Sequence, residues 1–170
     1  MTVPVVTPIA HHEFDAVATL MRDTIGPLAY YNEPARRAEL AKYSAESLRA
    51  LVAGDPHAVL VARDSNGPVG FCVSRFDDAT IWLSWFGTAA HARGRGIGAA
   101  LLAALAVTLP ARHAHKIWCD SRTDNTASRS VLEQAGFRCI ATLTNHWYEQ
   151  DYFLWEWFPN GPTSPLTAPR

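Results

Sequence analysis

Thr88-Ala89-Ala90-His91-Ala92-Arg93-Gly94-Arg95-Gly96-Ile97-Gly98 joins a strand-like run, Thr80-Ile81-Trp82-Leu83-Ser84-Trp85-Phe86, to an Ala/Leu-rich helical run that ends before Pro110. Gly94, Gly96 and Gly98 stand at alternate positions, so the backbone is bare where the helix begins. The first four N–H groups of a helix have no internal partner. With no side chains in the way they can converge on one concavity and bind a diphosphate. Arg93 and Arg95 add positive charge, and the helix dipole adds about 0.3–1 kcal/mol per favourable exposed charge. The plain alternative is a glycine-rich turn that binds nothing.

Two well-known phosphate loops match poorly. Counted from Gly94, the dinucleotide spacing Gly-x-Gly-x-x-Gly puts its third position at Ala99, which an alanine can fill. However, the preceding strand does not open a βαβ unit, and no acidic residue stands at a strand end about 20 residues on. A Walker loop needs Gly-Lys-Ser/Thr, and the chain has none. The spacing Arg-x-x-Gly-x-Gly is met by Arg93, Gly96 and Gly98.

Upstream of the loop, Asp64-Ser65-Asn66-Gly67 is a strong hairpin turn between runs over 58–63 and 69–76, because Asn-Gly tolerates the positive φ such turns need. Asp77-Asp78 turns the chain again into the run over 80–88. Further back, residues 35–53 are helical in composition, with Pro34 suited to a helix start and Ser44 a point where the helix can break. Phe14, Val17, Ala18, Leu20 and Met21 recur at helical spacing before Gly26-Pro27, and residues 3–7 form a first strand, with Pro4 favouring an edge. Downstream, strands are expected over 116–120, 138–144 and 152–158, with a helix over 126–134 that Gly136 stops. Residues 159–170, rich in Pro and Thr, read as a loose tail behind a single domain over 1–158. The order is an α/β (α+β) chain with a mixed sheet covered by helices on both faces.

Bulk properties narrow the classes. The 170 residues suit one domain that buries roughly two-thirds of its unfolded surface. Hydrophobic residues are 48% and charged residues 18%, so a core can form and disorder is excluded by composition. A net charge of −1 gives no global pull towards nucleic acid or an anionic membrane, and no such partner is expected. Cys72, Cys119 and Cys139 are an odd, widely spaced set, which argues against disulfides or zinc and for buried free thiols in a reducing, cytoplasmic setting. The first residues lack a signal-peptide pattern and no apolar run reaches the ~18 residues a membrane span needs. His113-x-His115 and His11-His12 have too few neighbouring ligands to suggest a metal.

A second stretch gives the loop its context. Asn125-Thr126-Ala127-Ser128-Arg129-Ser130-Val131-Leu132-Glu133-Gln134-Ala135-Gly136-Phe137 is an Asn-led helix that ends in Gly-Phe, one strand after the glycine turn. Together the two stretches resemble the GNAT superfamily of acetyl-CoA-dependent N-acetyltransferases, and the likeness runs over 3–158. The Asn-x-x-Ser form at Asn125 and Ser128 is similar to the branch containing ribosomal-protein N-terminal acetyltransferases.

The resemblance implies a mixed, mostly antiparallel seven-stranded sheet with a splayed central strand pair, and acetyl-CoA (coenzyme A) as cofactor. Phe86, Gly87 and Thr88 would pair with the pantetheine arm, with Gly87 suited to a bulge that starts the splay. The amides of Arg93, Gly94, Arg95, Gly96, Ile97, Gly98 and Ala99 would hold the pyrophosphate. Asn125 would bond the pantetheine or lock the splayed strand, unless it simply caps its helix. The acceptor amine must lose a proton, the carbonyl oxygen needs a donor (the Thr88 N–H by resemblance) and the leaving thiolate needs a proton. The helix tyrosine that many members use for the last task is Leu132 here. Ser128 is its best replacement, with Tyr148 a second candidate acid. His146, with an ordinary pKa near about 6.5, and Asp120 are candidate bases.

Tyr30 and Tyr31 fall in a loop that forms one lip of the acceptor site in relatives, and Trp82, Trp85 and Trp147 could line an aromatic pocket that attracts a cation. Strand tryptophans are equally at home in a core. The reading is transfer of an acetyl group to a small-molecule primary amine. A protein N-terminus or lysine as acceptor, or a non-catalytic acyl-CoA sensor, are the alternatives. A homodimer is compatible with the family.

Overall fold

The structure, a computed structural model, describes residues 4–161. The expected tail from position 162 on, and Val3 of the expected first strand, lie outside the described residues.

In chain order the elements are β1 (Val5–Pro8), α1 (Phe14–Ile25), α2 (Glu33–Lys42), α3 (Ala45–Gly54), β2 (Val59–Asp64), β3 (Gly67–Asp77), β4 (Thr80–Thr88), α4 (Ile97–Val107), β5 (Lys116–Arg122), α5 (Thr126–Gln134), β6 (Arg138–Leu143) and β7 (Tyr152–Trp157). The helical stretch over 35–53 is two helices, because two polar side chains cap separate starts. Asn32 Oδ1 accepts from the Ala35 amide (3.0 Å) and Ser44 Oγ from the Ser47 amide (3.1 Å).

One seven-stranded sheet runs β1-β2-β3-β4-β5-β7-β6, with β1 and β6 at its edges. All neighbours are antiparallel except β4 and β5. Both faces are covered, and β2 shows how its sequence meets that demand. Val59 and Val61 point into the layer of α1 and α3 with Val17, Met21 and Leu48. Leu60 and Ala62 point into the layer of α4 and α5 with Leu101, Leu105 and Leu132. A strand buried on both sides reads as a continuous apolar run, as Val59-Leu60-Val61-Ala62 does.

The parallel pair defines the fold. β4 and β5 stay in register only at Thr80↔Lys116, Ile81↔Ile117 and Trp82↔Trp118, after which they part. β5 follows β7 instead, paired from Ile117↔Trp157 to Arg122↔Tyr152. β4 follows β3, whose register shifts between Val73 and Ser74, leaving Ser84 as the extra residue between Leu83 and Trp85. A bulge bends and twists its strand, so β4 turns away where the pairing with β5 ends.

The bulge is therefore at Ser84, and the expected one at Gly87 is corrected. Gly87 pairs in register with Phe71, and a Cβ there would come within 2.6 Å of the Phe71 ring. Its role is to seat that ring. Cys72 and Cys119 are buried free thiols, whereas Cys139 is exposed, because β6 is an edge strand. No helix among the described residues is long and apolar enough to cross a membrane.

Candidate active site

The parting of β4 and β5 opens a cavity of about 310 Å³. Its walls are the second half of β4, the end of β5, the inner face of α2, the start of α5 and the loop before β7.

On the β4 side the ladder decides what faces the gap. The Ala89 amide donates to the Val69 carbonyl (2.9 Å), so Ala89 is hydrogen-bonded across to β3. In an antiparallel ladder bonded and non-bonded residues alternate. Gly87 and Trp85 therefore also turn their polar groups to β3, and Phe86 and Thr88 turn theirs to the gap. These are the positions expected to meet an extended ligand.

At the end of the gap stands the glycine loop. Gly94 and Gly96 have φ of 75° and 74°, a region that other residues enter at a cost. The first bond of α4 runs from the Ala100 amide to the Gly96 carbonyl (3.0 Å), which leaves the amides of Ile97, Gly98 and Ala99 without helical partners. Gly98 lies close under α5, where an added Cβ would stand 3.2 Å from Val131. Gly70 on β3 does the same for the loop itself, since a Cβ there would meet Ile97 Cγ2 at 2.6 Å. Arg93 is exposed, and Arg95 forms an ion pair with Asp64 (3.3 Å) while keeping part of its side chain in solvent. Free amides, flexible-free glycine geometry and two nearby guanidinium groups are a chemically suitable seat for a diphosphate.

Asp120, on β5, is the central titratable group of the cavity. Its Oδ2 accepts a hydrogen bond from Trp147 Nε1 (2.8 Å). Burial raises its pKa above the ordinary carboxylate value, the Trp147 bond opposes that, and the nearby negative charge of Glu39 adds to it. A carboxylate made more basic in a cleft is a good proton acceptor. The Trp147 bond favours the charged form, so Trp147→Phe is expected to raise the Asp120 pKa further. The acid limb of the pH–rate profile should move to higher pH, and a limb that stays in place would show that Asp120 is not the titrating base.

Other expected residues are placed as follows. Ser128, Tyr31, Trp82, Trp85, Phe86, Trp147 and Tyr148 line the cavity. Asn125 caps α5, with Oδ1 accepting from the Ser128 amide (3.0 Å), and its Nδ2 donates to Tyr30 Oη (2.9 Å). Tyr30 is thus a strut behind the wall, its hydroxyl pKa pushed up to about 12 by burial. Leu132 is fully buried in the core and offers no acid. His146 is exposed and its ring packs edge-on to Trp147 with centroids 4.5 Å apart, outside the cavity wall. His146 is not among the residues of the cavity wall, yet it stands close enough for its charge to act on the Asp120 carboxylate. Tyr148 and Glu149 both adopt positive φ, 55° and 59°, and the Tyr148 carbonyl is held by Asn32 Nδ2 (2.8 Å).

Sequence reasoning missed Glu39, Lys42, Tyr43, Arg75 and Arg122, all of which line the cavity. Glu39 was legible in principle. It follows the fully buried Ala35 by four residues, so it falls on the inward stripe of α2. Its side chain is only 12% exposed, and Oε2 accepts from Trp85 Nε1 (2.7 Å).

A sequence model of the acetyltransferase (GNAT) family matches residues 23–137. No curated protein matches the sequence. Among solved structures, Ard1 from Thermoplasma volcanium superposes with a TM-score of 0.72 at 16% identity, covering 92% of this chain and 98% of that one. The ribosomal-protein-alanine N-acetyltransferase from Brucella melitensis gives 0.73 at 20% identity, covering 91% and 99%. The yncA protein of Salmonella typhimurium, solved with its cofactor acetyl-CoA, gives 0.71 at 18% identity, covering 98% and 100%. At these identities the likeness is one of fold.

Proposed function

The chain belongs to the acetyltransferase (GNAT) family, and from that premise we propose that it transfers acetyl from acetyl-CoA to the primary amine of a small molecule, both being bound at once. The observation that carries the reading is the end of β4–β5 pairing at Trp82↔Trp118, which opens a cavity holding a basic carboxylate. The residues present suit the cofactor. Amides of the loop from Gly94 to Ala99 and the Arg93 guanidinium would receive the pyrophosphate, and the outward polar groups of Phe86 and Thr88 would pair with the pantetheine arm as an added strand.

When bound, acetyl-CoA supplies an activated acetyl thioester. The protein's own groups have three tasks. Asp120 takes a proton from the incoming ammonium, which makes the amine a nucleophile. The Thr88 N–H, turned into the gap and already fixed by the ladder, donates to the carbonyl oxygen as charge builds there. Ser128 and Tyr148 place hydroxyls on the cavity wall that can donate to the departing sulfur. Tyr31, Trp147 and Tyr148 put aromatic surface on the acceptor side of a cavity of about 310 Å³, a size that suits a small ligand.

The test is release of thiol from acetyl-CoA across polyamines, amino acids, aminoglycosides and N-terminal peptides, beside calorimetric titration with coenzyme A. Turnover of a small amine is expected; binding without turnover of any amine would leave only a sensor. Gly96→Ala gives a second check. An alanine at φ 74° costs about 1–2 kcal/mol. It is expected to appear either as lost stability or, if the loop relaxes, as roughly 5- to 30-fold weaker coenzyme A binding. A variant equal to the parent in melting and in affinity would show that the loop geometry is not needed.

A further inference from the structure

Almost every charge around the acceptor cavity is already satisfied. Glu39 Oε1 meets Lys42 Nζ at 2.5 Å, and its other oxygen takes the Trp85 indole. Arg122 donates Nε to the Tyr30 carbonyl (3.2 Å) and its remaining nitrogens to the Asp151 carbonyl and to Asp124 (3.0 Å). Two groups are left over. Asp120 Oδ1 receives no donor among the described residues, since Trp147 serves only Oδ2. Arg75, an exposed residue, has no carboxylate and no hydrogen-bond acceptor among the described residues; its guanidinium lies 5.9 Å over the Trp82 ring.

Both groups line one cavity. Arg75 pairs with Trp82 across β3 and β4, and Trp82 with Trp118 across β4 and β5. Asp120 follows Trp118 by two residues and so lies on the same face. Strands that stayed paired would put the Cα atoms of Arg75 and Asp120 roughly 12 Å apart, two spacings across and two residues along, and the parting of β4 and β5 beyond Trp82↔Trp118 lengthens that span. The arginine stem leans across Trp82 and takes up part of that span. What remains suits a small ligand with an ammonium on one side and a carboxylate on the other, held by one hydrogen bond of about 2.8 Å at each end.

We propose that the acceptor is an α-amino acid, with Asp120 taking the ammonium and Arg75 the carboxylate. The assignment rests on the acetyltransferase reading above and narrows it. A guanidinium presents a planar fork that matches a carboxylate, which a point charge would not. An unpaired cation on the wall would do nothing for a simple amine, and it would repel a polyamine. A peptide N-terminus carries an amide where the free amino acid carries its carboxylate, so it would leave Arg75 without a partner.

The experiment is acetylation of the twenty standard amino acids, followed, for the best of them, by its own C-terminal amide, its decarboxylated amine and a dipeptide that begins with it. The free acid is expected to exceed the amide by at least roughly tenfold in kcat/KM, the scale of one charge-assisted hydrogen bond. Arg75→Gln should bring that ratio close to one, and Arg75→Lys should restore part of it, with coenzyme A affinity by calorimetry as the common control. An amide, amine or dipeptide turned over as well as the acid would overturn the amino-acid assignment and leave the small-amine reading standing. A ratio unchanged in Arg75→Gln would overturn the role of Arg75. Failure of every amine would sink both.

Discussion

Asp120→Asn is expected to lower kcat by about 10²–10⁴-fold, the usual worth of a positioned base, with coenzyme A affinity unchanged. The substitution keeps shape and keeps an oxygen for the Trp147 indole, which donates to Oδ2 in the parent at 2.8 Å. Only the ability to accept a proton is removed. The pH dependence follows from the direction of the shift. Burial raises the Asp120 pKa, and the base works only when ionised, so kcat should rise with pH through that raised value.

The same group predicts a change of opposite sign in stability. A carboxyl with a raised folded pKa binds its proton more tightly folded than unfolded. Its stabilising contribution is complete below the unfolded pKa and is lost as pH rises to the folded value. Above that window the parent carries a buried charge at a cost, and Asn does not. Asp120→Asn should therefore melt higher than the parent at neutral pH while being nearly inactive. A variant that keeps more than a tenth of kcat would remove Asp120 from the chemistry. One that loses activity and melts lower would make its role structural.

Trp155→Ala is expected to cost about 3–5 kcal/mol, the range for truncating a buried aromatic. Trp155 is 2% exposed and packs in the core layer with Ile117, Leu132 and Phe137. Its Nε1 also donates to Ser121 Oγ (2.8 Å), so truncation leaves a cavity and an unpaired hydroxyl in a buried strand. For a chain of this length the loss corresponds to about 2–4 °C in Tm per kcal/mol. Trp155→Phe keeps most of the volume and should lose much less. The site should suffer with the core, because the Trp155–Ser121 bond helps hold β5 to β7 and away from β4. Equal melting of the alanine variant and the parent would contradict this account of what keeps the strands apart.

How much of this was written in the sequence depended on how local the cause was. α5 begins and ends where Asn125 and Gly136 place it, since an N-cap and a residue at φ 86° act within one turn. The turn before Gly67 and the separate starts of α2 and α3 have equally local causes. The bulge at Ser84 does not. It arises from the match between β3 and β4, and nothing in Leu83-Ser84-Trp85 marks it. Gly87 drew attention because glycine suits bulges, yet the ring of Phe71, sixteen positions earlier by chain number, is what requires it.

The cavity was legible on its strand side and at Tyr31, Ser128, Trp147 and Tyr148. Asp120 at a strand end and the aromatic residues of β4 announce a wall, although Trp82 and Trp85, three positions apart, share a face only because of the bulge at Ser84. Arg75 looks like an ordinary surface charge until β3 is placed beside the cavity. His146 stands exposed outside that wall, its ring edge-on to the half-exposed Trp147, whose indole reaches Asp120.

The contact between Gly70 and Ile97 has a thermodynamic consequence. Because the first residue of α4 is pressed onto bare backbone in the middle of the sheet, the loop proposed as the diphosphate seat is cast when the chain folds, before any ligand arrives. The ordering penalty that a mobile loop meets on association has then been met in advance. Association with coenzyme A should accordingly show a heat-capacity change no larger than the ligand's own buried apolar surface requires.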